Sequence, residues 1–259
     1  MTNPKSPAVT IAEGVEMPLV GLGTWEASDD EAHRAVLHAF EAGYRSIDTA
    51  TMYGNETGIG RAIRDSGLAR DEIFVTTKLL ASDAGREREL IASSLEKLQL
   101  AHVDLWLIHW PPNGARPDVW ERFIEARAAG LTRAIGVSNY SASQIDELIE
   151  ATGVTPAVNQ IRWAPALHDP AVVRALRERG VTLEGYSPFK ETRLDDPTLS
   201  EIAARHDVST RRIVLRWHLE HGFIVIPKSA DKARIAANFD IFGFELDEDE
   251  VERIDALGR

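Results

Sequence analysis

The stretch IFVTTKLLASDAGRERELIASSLEKLQLAHVDLWLIH, residues 73–109, contains one complete repeating unit of the chain. It starts with a β-branched apolar run at 73–78, continues with an amphipathic segment at 86–99 and ends with a second apolar run at 103–109. Two strands joined by a helix of this length predict a parallel βαβ unit, because parallel strands need a crossover connection. The strands are apolar on both faces, which is typical of parallel sheets covered by helices.

The same alternation of short apolar runs and amphipathic segments occurs about eight times along the 259 residues. Eight such units in one α/β domain of this size favour a (β/α)8 TIM barrel over a doubly wound open sheet. We predict a single domain over residues 1–259, with an N-terminal β-hairpin at 8–17 that plugs the barrel and extra C-terminal helices at 231–239 and 247–257. The predicted barrel strands are 18–23, 46–48, 73–78, 103–109, 133–138, 157–161, 182–187 and 223–227.

Short local motifs refine this prediction. GLGTWE at 21–26 lacks the third glycine of a dinucleotide-binding fingerprint, and GIG at 58–60 lies inside a predicted helix. Neither therefore supports a Rossmann fold, which requires its glycines between a strand and the start of a helix. Asp29 and Ser141 stand at predicted helix starts, and we expect both to be N-caps.

The composition restricts the class of protein. A formal net charge of -12 and the absence of cysteine argue against a general binder of nucleic acids or anionic membranes and exclude disulfides and thiolate metal sites. Residues 1–14 lack the apolar core of a signal peptide, and no run approaches the roughly 18 apolar residues that span a bilayer. We predict a cytoplasmic enzyme with no metal, membrane or nucleic-acid partner.

Polar or aromatic side chains stand at the carboxyl end of every predicted barrel strand. Taken singly, each has a structural explanation: Lys78 as a solvated strand end, His109 as a hydrogen-bonded core histidine and Ser138 as a helix cap. Together they indicate a site, because the loops of a barrel converge at the carboxyl ends of its strands. The residues are Thr24, Trp25, Asp48, Lys78, His109, Trp110, Ser138, Asn139, Gln160, Tyr186, Lys228 and Ser229.

Four residues near this rim predict a proton donor. Asp48 and Lys78 end neighbouring strands, so the carboxylate keeps the ammonium charged. The turn after Asp48 returns Tyr53 to the rim, where the positive charge is expected to lower the Tyr53 pKa from about 10. Tyr53 then acts as a general acid near neutral pH, and His109 orients a substrate oxygen or shares the proton. We predict that this set protonates a developing alkoxide.

A developing alkoxide implies hydride addition to a carbonyl, and the hydride has to come from a cofactor. The carboxyl ends of three strands offer amide and hydroxyl groups suited to a carboxamide and a tyrosine face suited to stacking on a ring. A cluster of cations and a hydroxyl after the last strand is suited to a phosphate. This combination predicts NADPH, with Ser138, Asn139, Gln160 and Tyr186 at the nicotinamide and Lys228, Ser229 and Arg234 at the 2′-phosphate.

Ordered motifs along nearly the whole chain resemble the aldo-keto reductase family, and in particular its short bacterial members of the 2,5-diketo-D-gluconic acid reductase type. They include AGYRSIDTATMYGNETGIG at 42–60, VDLWLIHWP at 103–111, GLTRAIGVSNY at 130–140 and IPKSADKARIAAN at 226–238. The resemblance implies a (β/α)8 barrel that reduces aldehydes and ketones with NADPH and no Rossmann motif. It also implies a monomer that acts on a small-molecule carbonyl substrate.

The resemblance assigns functions to individual positions of this sequence. It implies that the family's catalytic tetrad is Asp48, Tyr53, Lys78 and His109. It implies cofactor contacts at Ser138, Asn139, Gln160, Tyr186, Ser187, Lys228, Ser229, Arg234 and Asn238, and substrate contacts at Trp25, Trp110 and His109.

Several positions depart from the family pattern. Ala237 replaces an acidic residue that contacts adenine in many relatives, which implies a less tightly held adenine. Lys190, in SPFKETRL, is expected near the path of the pyrophosphate, and Trp163 is an unusual tryptophan that would extend an aromatic pocket lining. The sequence ends at DALGR, without the longer segment that closes the pocket in many members, so an open pocket is expected.

Two other functions remain open at this level. The first is a non-catalytic NADP(H)-binding module, which an intact tetrad disfavours without excluding. The second makes Lys78 the Schiff-base nucleophile of an aldolase-type barrel, an interpretation that leaves Tyr186 and the Lys228 cluster unexplained.

Overall fold

The computed structural model describes residues 6–258, so residues 1–5 and 259 of the predicted domain lie outside the described part. Eight parallel strands form one sheet in sequence order, and a separate antiparallel hairpin precedes them. In chain order the hairpin strands are β1 (Ala8–Ala12) and β2 (Val15–Pro18), and the barrel strands are β3 (Leu22–Gly23), β4 (Ser46–Asp48), β5 (Phe74–Leu79), β6 (Val103–Ile108), β7 (Thr132–Ser138), β8 (Val158–Arg162), β9 (Thr182–Tyr186) and β10 (Ile224–Ile226).

The sheet closes on itself between its first and last strands. The Gly21 N–H donates to the Val225 carbonyl at 3.0 Å, and the Val225 N–H donates to the Leu19 carbonyl at 2.9 Å. Closure removes the free edges of the sheet and confirms the predicted barrel. Strand β3 is shorter than the predicted 18–23, yet its backbone passes very close to β10, since a Cβ at Gly23 would lie 2.9 Å from the Ile226 carbonyl oxygen.

The hairpin covers one end of the barrel, as the sequence predicts. Its buried apolar side chains pack against side chains that point into the barrel from the strands, and together they form a core cluster separate from the main core. This contact seals the interior with apolar surface, which leaves the opposite end for loops and chemistry. The cluster consists of Ile11, Val15, Met17, Phe74, Leu105, Leu107, Ala134, Val158 and Ile224.

Ten α-helices surround the barrel in the described residues, and their apolar faces and the outer faces of the strands form the main core. Two helices lie between β9 and β10, and two extra helices follow β10, as predicted. None of the helices within residues 6–258 has the length and apolar character to cross a bilayer. The helices are α1 (Asp29–Ala42), α2 (Glu56–Asp65), α3 (Glu87–Leu98), α4 (Pro117–Ala128), α5 (Ala142–Thr152), α6 (Pro170–Arg177), α7 (Pro197–Arg205), α8 (Thr210–Glu220), α9 (Lys232–Phe239) and α10 (Glu248–Asp255).

Helix α1 starts with Ser28 as its N-cap, so the prediction of Asp29 at this position is wrong. The Ser28 side chain accepts a hydrogen bond from the Glu31 N–H, and the Glu31 carboxylate accepts one from the Ser28 N–H, which forms a capping box. Asp29 instead accepts a hydrogen bond from the Gly58 N–H at 2.6 Å and thereby holds α2 against α1. The second predicted cap, Ser141, is confirmed at the start of α5.

Gly58 explains the GIG motif inside α2. A Cβ at this position would lie 2.0 Å from the Asp29 carbonyl oxygen, which no side chain could tolerate. The glycine therefore allows α1 and α2 to pack closely, and the motif serves helix packing instead of phosphate binding.

Candidate active site

A cavity of about 440 Å³ opens at the carboxyl ends of the barrel strands. Residues predicted for catalysis, substrate and nicotinamide meet there, although they come from distant parts of the sequence. The predicted residues that line it are Trp25, Asp48, Tyr53, His109, Trp110, Ser138, Asn139, Gln160, Tyr186, Ser187 and Lys228.

The loop after β4 carries Tyr53 to the cavity on a 3₁₀ turn, Thr51–Tyr53. Asn55 is fully buried and holds this loop, because its Nδ2 donates to the Thr24 carbonyl at 2.9 Å and to the Ala27 carbonyl at 3.1 Å. Its Oδ1 accepts a hydrogen bond from Thr49 Oγ1 at 2.7 Å. The asparagine that follows Tyr53-Gly54 in the sequence therefore fixes the position of the phenol.

Lys78 and Asp48 form an ion pair beneath the cavity floor. The Lys78 Nζ donates to Asp48 Oδ1 at 2.5 Å and to the Thr49 carbonyl at 2.9 Å, and the lysine side chain is completely buried. Burial lowers the Lys78 pKa, but the charge and hydrogen bond of the adjacent Asp48 carboxylate, together with the nearby Tyr53 and Glu184, outweigh burial and raise that pKa above its ordinary value. Lys78 is therefore a permanent cation.

This cation lies close to the Tyr53 phenol, with Nζ 5.2 Å from the ring centre. Burial raises the pKa of Tyr53, while the positive charge of Lys78 opposes the increase without cancelling it. The prediction of a net lowering of the Tyr53 pKa is therefore wrong. The sequence correctly predicts that Lys78 lies near Tyr53. It does not show how far the fold buries the Tyr53 phenol, and that burial sets the direction of the pKa shift. Tyr53 keeps its proton at neutral pH.

His109 lies beside Tyr53, with the ring centres 5.7 Å apart in an edge-to-face arrangement. Burial, together with the nearby Lys78 charge, lowers the pKa of His109 to about 3. The imidazole is therefore neutral at physiological pH and carries a single N–H. A neutral imidazole can orient a substrate oxygen, but it has no acidic second proton to share.

The side chains predicted to contact nicotinamide form a hydrogen-bonded chain. Asn139 Nδ2 donates to Ser138 Oγ at 2.9 Å, and Asn139 Oδ1 accepts from the Tyr186 hydroxyl at 3.0 Å. Asn139 adopts a left-handed backbone conformation with φ of 62°, which asparagine tolerates better than most residues. This conformation follows β7 directly and turns the amide side chain into the cavity.

Gln160 connects this chain to a buried acidic pair. Its Nε2 donates to Asp48 Oδ2 at 2.8 Å and to Glu184 Oε2 at 2.7 Å. Glu184 is fully buried on β9 and is not among the site residues predicted from the sequence. The signal was a glutamate two residues before Tyr186 in a strand with no other charged residue, where a buried carboxyl group requires a partner.

The residues predicted to contact the phosphate and adenine divide into two groups. Lys228 lines the cavity, whereas Ser229, Arg234 and Asn238 are not among its lining residues. The Arg234 side chain is exposed on α9, 3.8 Å from Asp231, and Asn238 is buried on the same helix. The structure therefore does not bring Arg234 and Asn238 to the cavity; both belong to a helix that follows the last barrel strand.

Lys190 and Arg162 add positive charge to the cavity lining. Arg162 forms an ion pair with Glu191, next to Lys190 in the β9–α7 segment. Lys190 itself lines the cavity that is predicted to hold the cofactor. Ala237, the other position that departs from the family pattern, is exposed on α9 and does not line this cavity.

Two of the three tryptophans predicted for the substrate pocket lie at its mouth. Trp25 and Trp110 are 45% and 47% exposed, and the Trp25 ring contacts the Tyr53 ring edge-on. Trp163 is buried instead, stacked between Phe223 and Trp217 with ring centres 3.6 and 4.2 Å away. The suggestion that Trp163 lines the pocket is wrong, because its side chain points into the layer between strands and helices.

The model of the Aldo/keto reductase family matches residues 19–259. The chain belongs to the aldo/keto reductase family. An aldo-keto reductase of Mycobacterium tuberculosis is 46% identical over 258 residues, which cover 98% of this chain and 90% of the relative. A glyoxal reductase of Bacillus subtilis is 42% identical over 255 residues, 97% of this chain and 92% of the relative.

Solved structures of aldo/keto reductases have the same fold. That of a Brucella melitensis aldo/keto reductase superimposes with a TM-score of 0.94 at 43% identity and covers 98% of this chain and 100% of that one. A Bombyx mori aldo-keto reductase in complex with NADP also reaches a TM-score of 0.94, at 36% identity over 98% of this chain and 93% of that one. The chain is therefore an oxidoreductase of the carbonyl-reducing kind.

Proposed function

We propose that this aldo/keto reductase reduces small aldehydes and ketones by hydride transfer from NADPH, with Tyr53 as the general acid. The observation that carries the proposal is the buried Lys78–Asp48 ion pair beneath a half-buried phenol at the floor of the cavity. Such a cation is fixed before the reaction, so it stabilises a negative charge that develops next to it without further reorganisation.

The proton step follows from this arrangement. NADPH, when bound beside these residues, would supply the hydride for the carbonyl carbon. The carbonyl oxygen then takes the proton of the Tyr53 hydroxyl, which leaves an alcohol product and a tyrosinate. The adjacent Lys78 ammonium stabilises the tyrosinate until solvent returns the proton. Because burial keeps the Tyr53 pKa high, the proton stays on the phenol until an alkoxide, a far stronger base, forms beside it.

His109 is proposed to position the substrate. Its neutral imidazole can donate one hydrogen bond to the carbonyl oxygen. A charged imidazolium beside Lys78 would place two cations at the same site, and the low His109 pKa of about 3 avoids this.

The chemistry of the lining residues fits NADPH. Asn139 and Gln160 offer amide groups for the carboxamide and Tyr186 an aromatic face for the ring, with Ser138 and Ser187 beside them. Lys228 offers a positive charge in the cavity. We further propose that Ser229, just before α9, and Arg234, exposed on α9, contact the 2′-phosphate outside the cavity, and that Asn238 on the same helix contacts the adenine.

The proposed substrate is a small carbonyl compound, α-dicarbonyls in particular. The cavity of about 440 Å³ has to hold the nicotinamide as well as the substrate. The exposed rings of Trp25 and Trp110 lie at its mouth, where they can cover a small apolar molecule. The name of the similar Bacillus subtilis glyoxal reductase supports the same substrate class.

The test is NADPH consumption, followed by absorbance, with a panel of α-dicarbonyls and small aldehydes. We expect saturable turnover with at least one α-dicarbonyl. Tight NADPH binding without turnover on any member would overturn the proposal in favour of a non-catalytic NADP(H)-binding module.

The aldolase-type alternative has little support. Lys78 is completely buried, paired with Asp48 and held as a cation, whereas a Schiff-base lysine has to be an accessible neutral amine. Borohydride treatment in the presence of carbonyl substrates is therefore expected to leave Lys78 unmodified.

A further inference from the structure

The Glu184 side chain is fully buried on β9, in register with Gln160 on β8 and Ile224 on β10. Its Oε2 accepts a hydrogen bond from Gln160, and its Oε1 is buried without a hydrogen-bond partner among the described residues. A fully buried carboxyl group costs free energy unless it is well paired. Glu184 takes no part in the proposed proton transfer from Tyr53, so the burial of this carboxyl needs another explanation.

The Gln160 amide has two N–H hydrogens, and both are used. One goes to Asp48 Oδ2 at 2.8 Å and the other to Glu184 Oε2 at 2.7 Å. A flipped amide would place its carbonyl oxygen against Asp48 Oδ2 and Glu184 Oε2, and the repulsion from Glu184 is complete when that carboxyl is ionised. The two acids therefore fix the orientation of the amide. Its own oxygen is the group left for a ligand, and Gln160 lines the cavity.

We infer that Glu184 is a positioning residue that fixes the Gln160 amide with its oxygen available to the N–H of the nicotinamide carboxamide, and so makes the site selective for that group. This inference rests on the proposed function, because it requires a nicotinamide cofactor in the cavity. Asp48 alone would leave one Gln160 hydrogen without an acceptor, so the amide could reorient.

The test compares NADP+ with its 3-acetylpyridine analogue, in which a methyl group replaces the carboxamide NH₂. The analogue cannot donate a hydrogen bond to Gln160. We expect the wild-type protein to bind NADP+ about tenfold more tightly than the analogue, the usual value of one buried hydrogen bond. In Glu184→Leu only the affinity for NADP+ should fall. The discrimination, which is the ratio of the affinity for NADP+ to that for the analogue, should therefore approach one.

A merely structural effect has a different signature. If Glu184→Leu binds both ligands more weakly but keeps the wild-type ratio of the two affinities, the inference is overturned. If the wild-type protein binds neither ligand, the proposed function itself fails. Glu250→Gln is the matched control, because Glu250 is buried on α10, does not line the cavity and pairs with Arg205 and His206. Its discrimination should equal that of the wild type.

A second variant covers the possibility that leucine prevents folding. Glu184→Gln keeps the shape and an oxygen acceptor but cannot ionise. In the wild type, burial and the Asp48 charge raise the Glu184 pKa to about 8, while the Gln160 hydrogen bond and the Lys78 charge oppose the increase. Among the described residues, His218 on α8 also packs against β9, at Gly185, and Arg162 on β8 is in register with Tyr186.

Ionisation of Glu184 strengthens its hold on the Gln160 N–H. The discrimination in favour of NADP+ should therefore increase in the wild type as the pH rises through about 8, and it should stay constant in Glu184→Gln. Identical pH profiles for the two proteins would overturn the inference.

Discussion

The ammonium group of Lys78 lies between a carboxylate and a phenol, and this arrangement governs the chemistry at the scale of single residues. Asp48 keeps the lysine charged, and the lysine in turn opposes the effect of burial on Tyr53. The site therefore holds a neutral acid next to a fixed cation. This design favours the transition state, in which negative charge moves onto the phenol oxygen, over the resting state.

The sequence predicts the positions of these residues better than their energetics. Asp48, Lys78 and His109 could be placed on one rim because each ends an apolar strand, and parallel strands of a barrel end at the same face. The direction of the Tyr53 pKa shift was wrong because it depends on burial, which is set by residues distant in the sequence. The sequence does not point to Glu184, because this residue lies within β9, two residues before the strand end at Tyr186.

Arg234→Ala tests the proposed contact with the 2′-phosphate. Arg234 is exposed on α9 and its charge is only loosely paired with Asp231, at 3.8 Å, so it is available for an anion. We expect the affinity for NADPH to fall about tenfold or more, the value of a charge-assisted hydrogen bond, and the affinity for NADH to stay nearly constant. Titration of both cofactors by fluorescence measures this. Equal weakening of the two would show that Arg234 does not contact the phosphate.

At the scale of secondary-structure elements, the loop between β4 and α2 presents the catalytic phenol. The loop is short and anchored at both sides, by Thr51 Oγ1 on the Lys78 carbonyl at 3.0 Å and by Asn55 on the Thr24 and Ala27 carbonyls. The sequence predicts β4 to the residue. It does not predict that Asn55 anchors the turn, because the acceptors lie about 30 residues away in the chain.

Asn55→Ala tests this anchor. The substitution leaves two buried carbonyls and the Thr49 hydroxyl without their partner, which is expected to cost about 1–3 kcal/mol of stability. Tyr53 should also become less well placed, so kcat should fall while the affinity for NADPH changes little. Urea denaturation and steady-state kinetics measure the two effects. A stable variant with wild-type kcat would contradict the assignment of Asn55 as the support of the turn.

At the scale of the whole molecule, the barrel separates stability from chemistry. The hairpin seals one end with apolar side chains, whereas the other end collects polar groups in a cavity. The number and order of βα units were predictable, because the alternation of apolar and amphipathic segments is regular. The exact ends of β3 were not, since closure of the barrel depends on how closely its backbone approaches β10.

Glu184 also connects the site to global stability. Its pKa rises from 4.5 to about 8 on folding, so the folded protein holds this proton more tightly than the unfolded chain. Stability from this group is therefore complete below about pH 4.5 and is lost as the pH rises towards 8. We expect the free energy of unfolding of the wild type to fall between these values relative to that of Glu184→Gln. Urea denaturation over this pH range measures the difference, and parallel curves would contradict the burial of an ionisable Glu184.

The central claim is that the Tyr53 hydroxyl donates the proton. The most direct test is single-turnover oxidation of enzyme-bound NADPH by an α-dicarbonyl, compared between the wild type and Tyr53→Phe. Because phenylalanine keeps the ring and removes only the hydroxyl, the rate should fall by about 10²–10⁴-fold, the usual contribution of a general acid, while NADPH affinity changes by less than about twofold. A Tyr53→Phe variant that binds NADPH and oxidises it at the wild-type rate would contradict the account.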